Sequence, residues 1–130
     1  MYKVDITGQG ESGFKVSSDG HEIVLDPKGG GISPSAALLA SIGSCVGVYL
    51  RKYCKGANLE LKDFKISVEA DFVKEPVFCF KEINVSVDLK GLQLEERRQQ
   101  ALLNFAKKCP IHNTLKSDPQ INLKLLNSDQ

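Results

Sequence analysis

Four cysteines, at positions 45, 54, 79 and 109, have the widest chemical range of any residues in this sequence. None stands in the CxxC spacing of a zinc site. With no sign of export, they are read as starting out as thiols in a reducing compartment. A thiol of that kind is either a small hydrophobe packed in a core or, where its surroundings favour the thiolate, a nucleophile. Cys109 lies in Lys107-Lys108-Cys109-Pro110-Ile111-His112, where one helical pattern ends and a proline opens another. Two lysines and the backbone N–H groups that follow favour a thiolate there. Cys45 lies mid-helix in Gly43-Ser44-Cys45-Val46-Gly47, where the helix dipole does little for it. Local sequence therefore makes Cys109 the more acidic of the two. Cys54 falls on the opposite face of the same helix from Cys45, too far along the axis for a disulfide between them.

Other candidates are weaker. Cys109 and His112 have a ligand-like spacing, but a structural zinc needs four ligands, and His21 and the remaining cysteines are not spaced to complete a set. His112 is read as a local hydrogen-bonding residue, and no metal or cofactor is expected. Gly29-Gly30-Gly31 precedes a helix, but no GKS or GKT follows, so it reads as a flexible loop and not a phosphate cradle. Ser41 and Ser44 lack the Gly-x-Ser-x-Gly elbow of a hydrolase. Lys and Arg total 17 against 16 Asp and Glu, which gives no electrostatic reason to expect nucleic acid or an acidic membrane surface as a partner. The N-terminus lacks the apolar stretch of a signal peptide. The run from Ala36 to Leu50 is shorter than the roughly 18 apolar residues of a spanning helix. The expectation is a cytoplasmic protein with a single domain over residues 1–130.

The elements that position these thiols are legible from periodicity. Tyr2, Val4 and Ile6, then Phe14 and Val16, then Ile23 and Leu25 alternate with polar residues, and glycine turns separate them, which predicts a three-stranded meander. Ser33-Pro34 is a helix start, a hydroxyl N-cap with proline at the first helical position. The helix is expected from Pro34 to Lys55, with Gly56-Ala57-Asn58 stopping it. Its middle is apolar or small on every side, as in a buried helix, and Ala36, Ala40, Gly43 and Gly47 are spaced to let another backbone approach. Phe64 to Phe72 alternate cleanly as a half-buried strand. The return strand changes phase near Lys81-Glu82, which predicts a bulge. A second helix is expected from Gln93 to Lys108, a short one from Pro110 to Lys116, and a last strand at Ile121, Leu123 and Leu125. The order βββ-α-ββ-α-β is that of an α+β domain.

These motifs together resemble the OsmC/Ohr family of organic hydroperoxide resistance proteins. The resemblance is carried by the Gly-rich loop running into Ser33-Pro34 and Ala37-Leu38-Leu39-Ala40-Ser41-Ile42-Gly43-Ser44-Cys45, by Cys109-Pro110-Ile111-His112-Asn113-Thr114-Leu115, and by the element order. It implies an intertwined homodimer with long buried central helices. It further implies Cys45 as the peroxidatic cysteine and Cys109 as the resolving one, organic hydroperoxides as substrates, and a dithiol reductant such as a dihydrolipoyl protein. The sequence departs from the family pattern at two places. No Arg precedes Arg51, and Ser35 and Ala36 stand where the hydroperoxide reductases carry a Glu. Lys3, Lys15 or Lys28, with Glu11, Glu22 or Asp26, are the candidates to replace that pair. The alternative to an enzyme is an OsmC-like dimer acting as a redox sensor or as a binder of an apolar ligand.

A helix apolar on all sides is more than a chain of this size can enclose alone. Sedimentation at micromolar concentration should therefore give a dimer, and a monomer under those conditions counts against it.

Overall fold

The computed structural model describes residues 1–126. Strands β1 (Asp5–Gln9), β2 (Gly13–Ser18) and β3 (His21–Leu25) form the expected antiparallel meander. Asp19 and Gly20 both take positive φ between β2 and β3, the conformation that lets a two-residue hairpin follow the strand twist. A loop held by Asp26 follows. Its carboxylate accepts from the Ser12 hydroxyl at 2.9 Å and from the Lys28 N–H at 2.8 Å. These bonds hold its pKa below the ordinary value of 3.8.

Helix α1 (Pro34–Gly56) starts as the sequence predicts, with Ser33 Oγ accepting the Ala36 N–H at 3.1 Å. At its C-terminus the left-handed residue is Asn58, with φ of 56°. Asn tolerates this conformation better than other non-glycine residues. The Leu59 N–H reaches back to the Cys54 carbonyl at 2.8 Å and the Asn58 N–H to that of Lys55 at 3.3 Å, a Schellman closure. It folds Leu59 onto the core formed by Leu50, Cys54 and Leu102.

Strands β4 (Lys65–Val73) and β5 (Cys79–Asp88) make a separate two-stranded sheet. Its register runs from Lys65 opposite Asp88 to Ala70 opposite Ile83, then resumes at Phe72 opposite Phe80. One extra residue therefore sits on β5 at Lys81-Glu82, where the change of phase predicted a bulge. Beyond it Phe72 stacks on Phe80 and Phe78, with ring centroids 4.2 and 4.5 Å apart.

Helices α2 (Glu96–Ala106) and α3 (Pro110–Lys116) complete the described elements. Helix α2 stops short of the expected Lys108. Pro110 disfavours the helical conformation at the residue before it, and Cys109 is extended, with φ of −57° and ψ of 132°.

Two expectations are corrected. No strand forms at Ile121, Leu123 and Leu125, which are 81%, 95% and 92% exposed. Alternation makes a segment suited to a sheet, but a strand exists only where another edge pairs with it, and this segment meets none among the described residues. The small residues of α1 also do not all serve a backbone approach. A Cβ on Gly43 would lie 2.9 Å from Val68 Cγ2, and one on Gly47 3.3 Å from Ile66 Cδ1. These two glycines seat the helix on the side chains of β4.

Only one side of α1 is covered by its own chain. Ile42, Gly43, Gly47, Leu50 and Cys54 are buried, while Leu38 and Val48 are exposed. The meander packs chiefly on itself and leaves Ile6 and Ile23 exposed. By length and composition α1 could also cross a membrane; here its covered side is the seat of a core. Because Gly43 meets Val68 below normal contact distance for a Cβ, Gly43→Val should destabilise the fold by about 1–3 kcal/mol. This would be seen as a lower urea midpoint at unchanged slope; an unchanged midpoint would contradict this packing.

Candidate functional site

Helices α1 and α2 run antiparallel along a seam. On α1 the seam residues are Cys45, Tyr49 and Tyr53, spaced four apart and so stacked on one face. On the other side Phe105 lies 5.6 Å from Tyr49 and 6.0 Å from Tyr53, ring centroid to ring centroid. Leu102 packs one turn further along, against Leu50 and Cys54. At the opposite end of the seam, Cys109 meets Cys45.

The two cysteines, 64 residues apart in sequence, have their Cα atoms 5.9 Å apart and their sulfurs joined. That separation is inside disulfide reach. Cys45 keeps part of its surface in solvent, whereas Cys109 is 1% exposed. Cys109 also occupies the N-cap of α3, where its Sγ accepts the His112 N–H at 3.4 Å. A sulfur thus stands where Ser, Thr, Asp or Asn is the usual cap. Thiolate character at Cys109 has this donor in its favour. Lys108 directs its ammonium over the Phe105 ring, 5.4 Å from the centroid. Cys45 has no such cap, because mid-helix N–H groups are committed to the helix ladder.

Several of the candidates for an activating cation and its acidic partner have contacts of their own within the meander and its loop. Lys15 pairs with Glu22 across β2 and β3 at 3.7 Å, and Lys3 with Asp5 at 3.9 Å. Asp26 holds its own loop. All of these sit on the meander and the loop after it. The meander packs chiefly on itself and not on α1. Arg51, the first arginine of the chain, lies over the Phe64 ring at 5.1 Å.

Two open grooves flank the cysteine face of α1. One, of about 470 Å³, is lined by Ile42, Val46, Val85, Leu103, His112 and Leu115 among others. Its lining includes Val46, next to Cys45, and His112, which bonds Cys109, and its apolar walls suit an organic group. The other, of about 640 Å³, runs along Ala40, Ser44, Gly47 and Arg51 beside Phe64 and Ile66. Sequence reasoning missed the aromatic seam. Its signal was present in the spacing of Cys45, Tyr49 and Tyr53, but the opposing Phe105 could be matched to it only once α2 was placed.

Cys54 and Cys79 stand apart from the pair as free thiols. Cys54 is 1% exposed inside the Leu50–Leu102 core, and burial pushes its thiol above the ordinary value of 9.0.

A family model described as OsmC-like protein matches residues 27–124. A protein of Mycoplasma genitalium named hydroperoxide reductase is 27% identical over 122 residues, covering 87% of this chain and 86% of that protein. Among solved structures, an OsmC-like protein from Mycoplasma pneumoniae superposes with a TM-score of 0.77 at 23% identity, covering 89% of this chain and 87% of the other. The organic hydroperoxide resistance protein OhrB of Bacillus subtilis gives a TM-score of 0.67 at 23% identity, covering 91% and 92%.

The raised value at Cys54 has a measurable consequence. Burial disfavours its thiolate, so the native thiol stays protonated up to a higher pH than in the unfolded chain. Alkylation of Cys54 by iodoacetamide near pH 8 should be slower in the native protein by about ten-fold or more. Equal rates in native and urea-unfolded protein would contradict its burial.

Proposed function

We propose that this chain, which belongs to the OsmC-like protein family, reduces organic hydroperoxides with Cys45 as nucleophile and Cys109 as resolving thiol. The observation that carries the reading is the Cys45–Cys109 contact, made with Cys45 partly exposed and Cys109 buried. A peroxidase of this kind needs one sulfur that substrate can reach and a second, protected, within bonding distance. The hydroperoxide reductase relative and the apolar groove beside Ile42 and Val46 support the substrate class.

The chemistry runs in three balanced steps. The Cys45 thiolate attacks the terminal oxygen of the hydroperoxide, the O–O bond breaks, and the alkoxide takes a proton and leaves as an alcohol. Cys45 is then a sulfenic acid. The Cys109 thiol gives up its proton as its sulfur attacks that of Cys45, the S–O bond breaks, the departing hydroxyl takes a proton and leaves as water, and the disulfide forms. A dithiol returns the pair to thiols while it is itself oxidised to a disulfide. A dihydrolipoyl protein fits this requirement, and the cytoplasm is the compartment we assign, since dithiols stay reduced there. The role this gives the protein is defence against oxidative stress.

The functional unit we propose is a homodimer. Exposed apolar side chains on the meander, on α1 at Val48, and at Ile121, Leu123 and Leu125 are surfaces that a second copy would cover. A partner's meander is also the source from which a cation could approach Cys45, since the chain's own meander packs chiefly on itself.

A second reading, a redox sensor without efficient turnover, is favoured by one observation. The lysines weighed as replacements for the missing Arg include Lys15, committed to Glu22, and Lys3, committed to Asp5. A thiol without a nearby cation reacts slowly. The two readings separate on cumene hydroperoxide with a dithiol present. Wild type should consume peroxide catalytically, and Cys45→Ser should fall to the uncatalysed background. With the dithiol left out, Cys109→Ser should reduce one equivalent and stop at a sulfenic acid that dimedone traps. Equal, background-level rates in wild type and Cys45→Ser would reject the peroxidase. One slow stoichiometric oxidation of wild type, without turnover, would leave the sensor.

A further inference from the structure

The two sulfurs of the disulfide are unequal targets for the thiol that must reopen it. Cys109 is 1% exposed, and the residues around it belong to its own chain. Helix α1 supplies its bonded partner, Ala106 precedes it by one turn and is buried, and α3 begins at Pro110. A second copy docking on this chain can add cover at either cysteine but cannot uncover Cys109. Cys45 keeps part of its surface in solvent, and its chain neighbours Ser44 and Val46 each line one of the two grooves along α1.

Of the two sulfurs only Cys109 has a hydrogen-bond donor in place, which acts against the burial that disfavours its thiolate. Thiol–disulfide exchange is faster when the sulfur that leaves is stabilised as a thiolate. Cys109 Sγ already accepts the His112 N–H at 3.4 Å, a bond that strengthens as negative charge develops on the acceptor. If Cys45 were the leaving sulfur, it would depart into mid-helix, where the N–H groups are taken.

We infer that the reducing dithiol attacks Cys45 and expels Cys109, so the mixed disulfide of the reductive half-reaction forms on Cys45. The inference rests on the peroxidase reading for the identity of the reductant as a dithiol. In the first step a thiolate of the reductant bonds to Cys45 Sγ as the Sγ–Sγ bond breaks. The electron pair of that bond leaves on Cys109 Sγ, which then takes a proton from solvent. The reductant's second thiol loses its proton and attacks the reductant's own sulfur in the mixed disulfide. That closes a cyclic disulfide and releases Cys45 as a thiolate. The protein gains the two electrons that the dithiol loses.

Cys45 would thus be the sulfur attacked in reduction as well as the one that attacks peroxide. Cys109 would bond to no molecule other than its own chain at any stage. Both substrates would meet the protein at one opening, with the organic part of the reductant lying where the organic part of the peroxide lies.

The test uses full-length wild-type protein oxidised with diamide, with the Cys45–Cys109 peptide identified by mass spectrometry. Glutathione, a monothiol that stalls at the mixed disulfide, is then added in limiting amount. Samples are quenched with acid over a short time course and alkylated with N-ethylmaleimide. Glutathione on Cys45 with maleimide on Cys109 should exceed the reverse pattern by about ten-fold or more when extrapolated to zero time. Equal amounts, or glutathione chiefly on Cys109, would overturn the inference and leave the peroxidase reading standing. If diamide produces no Cys45–Cys109 peptide, both fall together, and the missing linked peptide identifies that outcome.

Discussion

Gly43 and Gly47 let α1 lie directly on the side chains of β4, and that close approach sets the rotation of the helix on which Cys45 sits. A Cβ at Gly43 would come within 2.9 Å of Val68, so the helix has no freedom to turn without either losing contact or colliding. With this side of α1 held by the sheet, the neighbouring face of Cys45, Tyr49 and Tyr53 is presented to α2. The aromatic contacts of Phe105 with both tyrosines then set how far α2 lies along α1. The position of Cys109 opposite Cys45 follows from these two constraints.

The second contribution comes from a backbone rule. Pro110 keeps the residue before it out of the helical region, so α2 ends and Cys109 turns back at the junction. The same proline starts α3, whose His112 N–H meets the Cys109 sulfur. One residue therefore ends a helix, starts another and gives a buried sulfur a hydrogen-bond donor. Cys45 has the opposite character, being more exposed and without a cap. This difference between two chemically identical side chains is the physical basis of the roles proposed for them.

The chain leaves much apolar surface uncovered. Its meander packs chiefly on itself, and the alternating segment at Ile121, Leu123 and Leu125 is almost fully exposed. Exposed apolar surface of this extent, contributed by three separate parts of the chain, is characteristic of an association surface. It also bears on reactivity. The lysines of the meander belong to a layer that packs chiefly on itself and not on the helix that carries Cys45.

Local features of the sequence determined the elements. Ser33-Pro34 placed the start of α1, because a hydroxyl cap and a proline act on their own backbone. The loss of alternation at Lys81-Glu82 located the bulge, because side-chain direction in a strand has period two. Pro110 placed the break between α2 and α3. Readings that depend on a distant partner were decided only by the tertiary structure. Ile121 to Leu125 has the pattern of a strand but no edge to pair with among the described residues. Gly43 and Gly47 carried the spacing of a close approach without saying that β4 would be what approached. The union of Cys45 with Cys109 could be reached from the sequence only through the resemblance. Across 64 residues spacing carries no geometric information, and the seam that joins the two sulfurs exists only after α1, β4 and α2 have packed. Cys45 and Cys109 were thus legible as two thiols of different local character, and the fold decided which would be buried and which partly exposed.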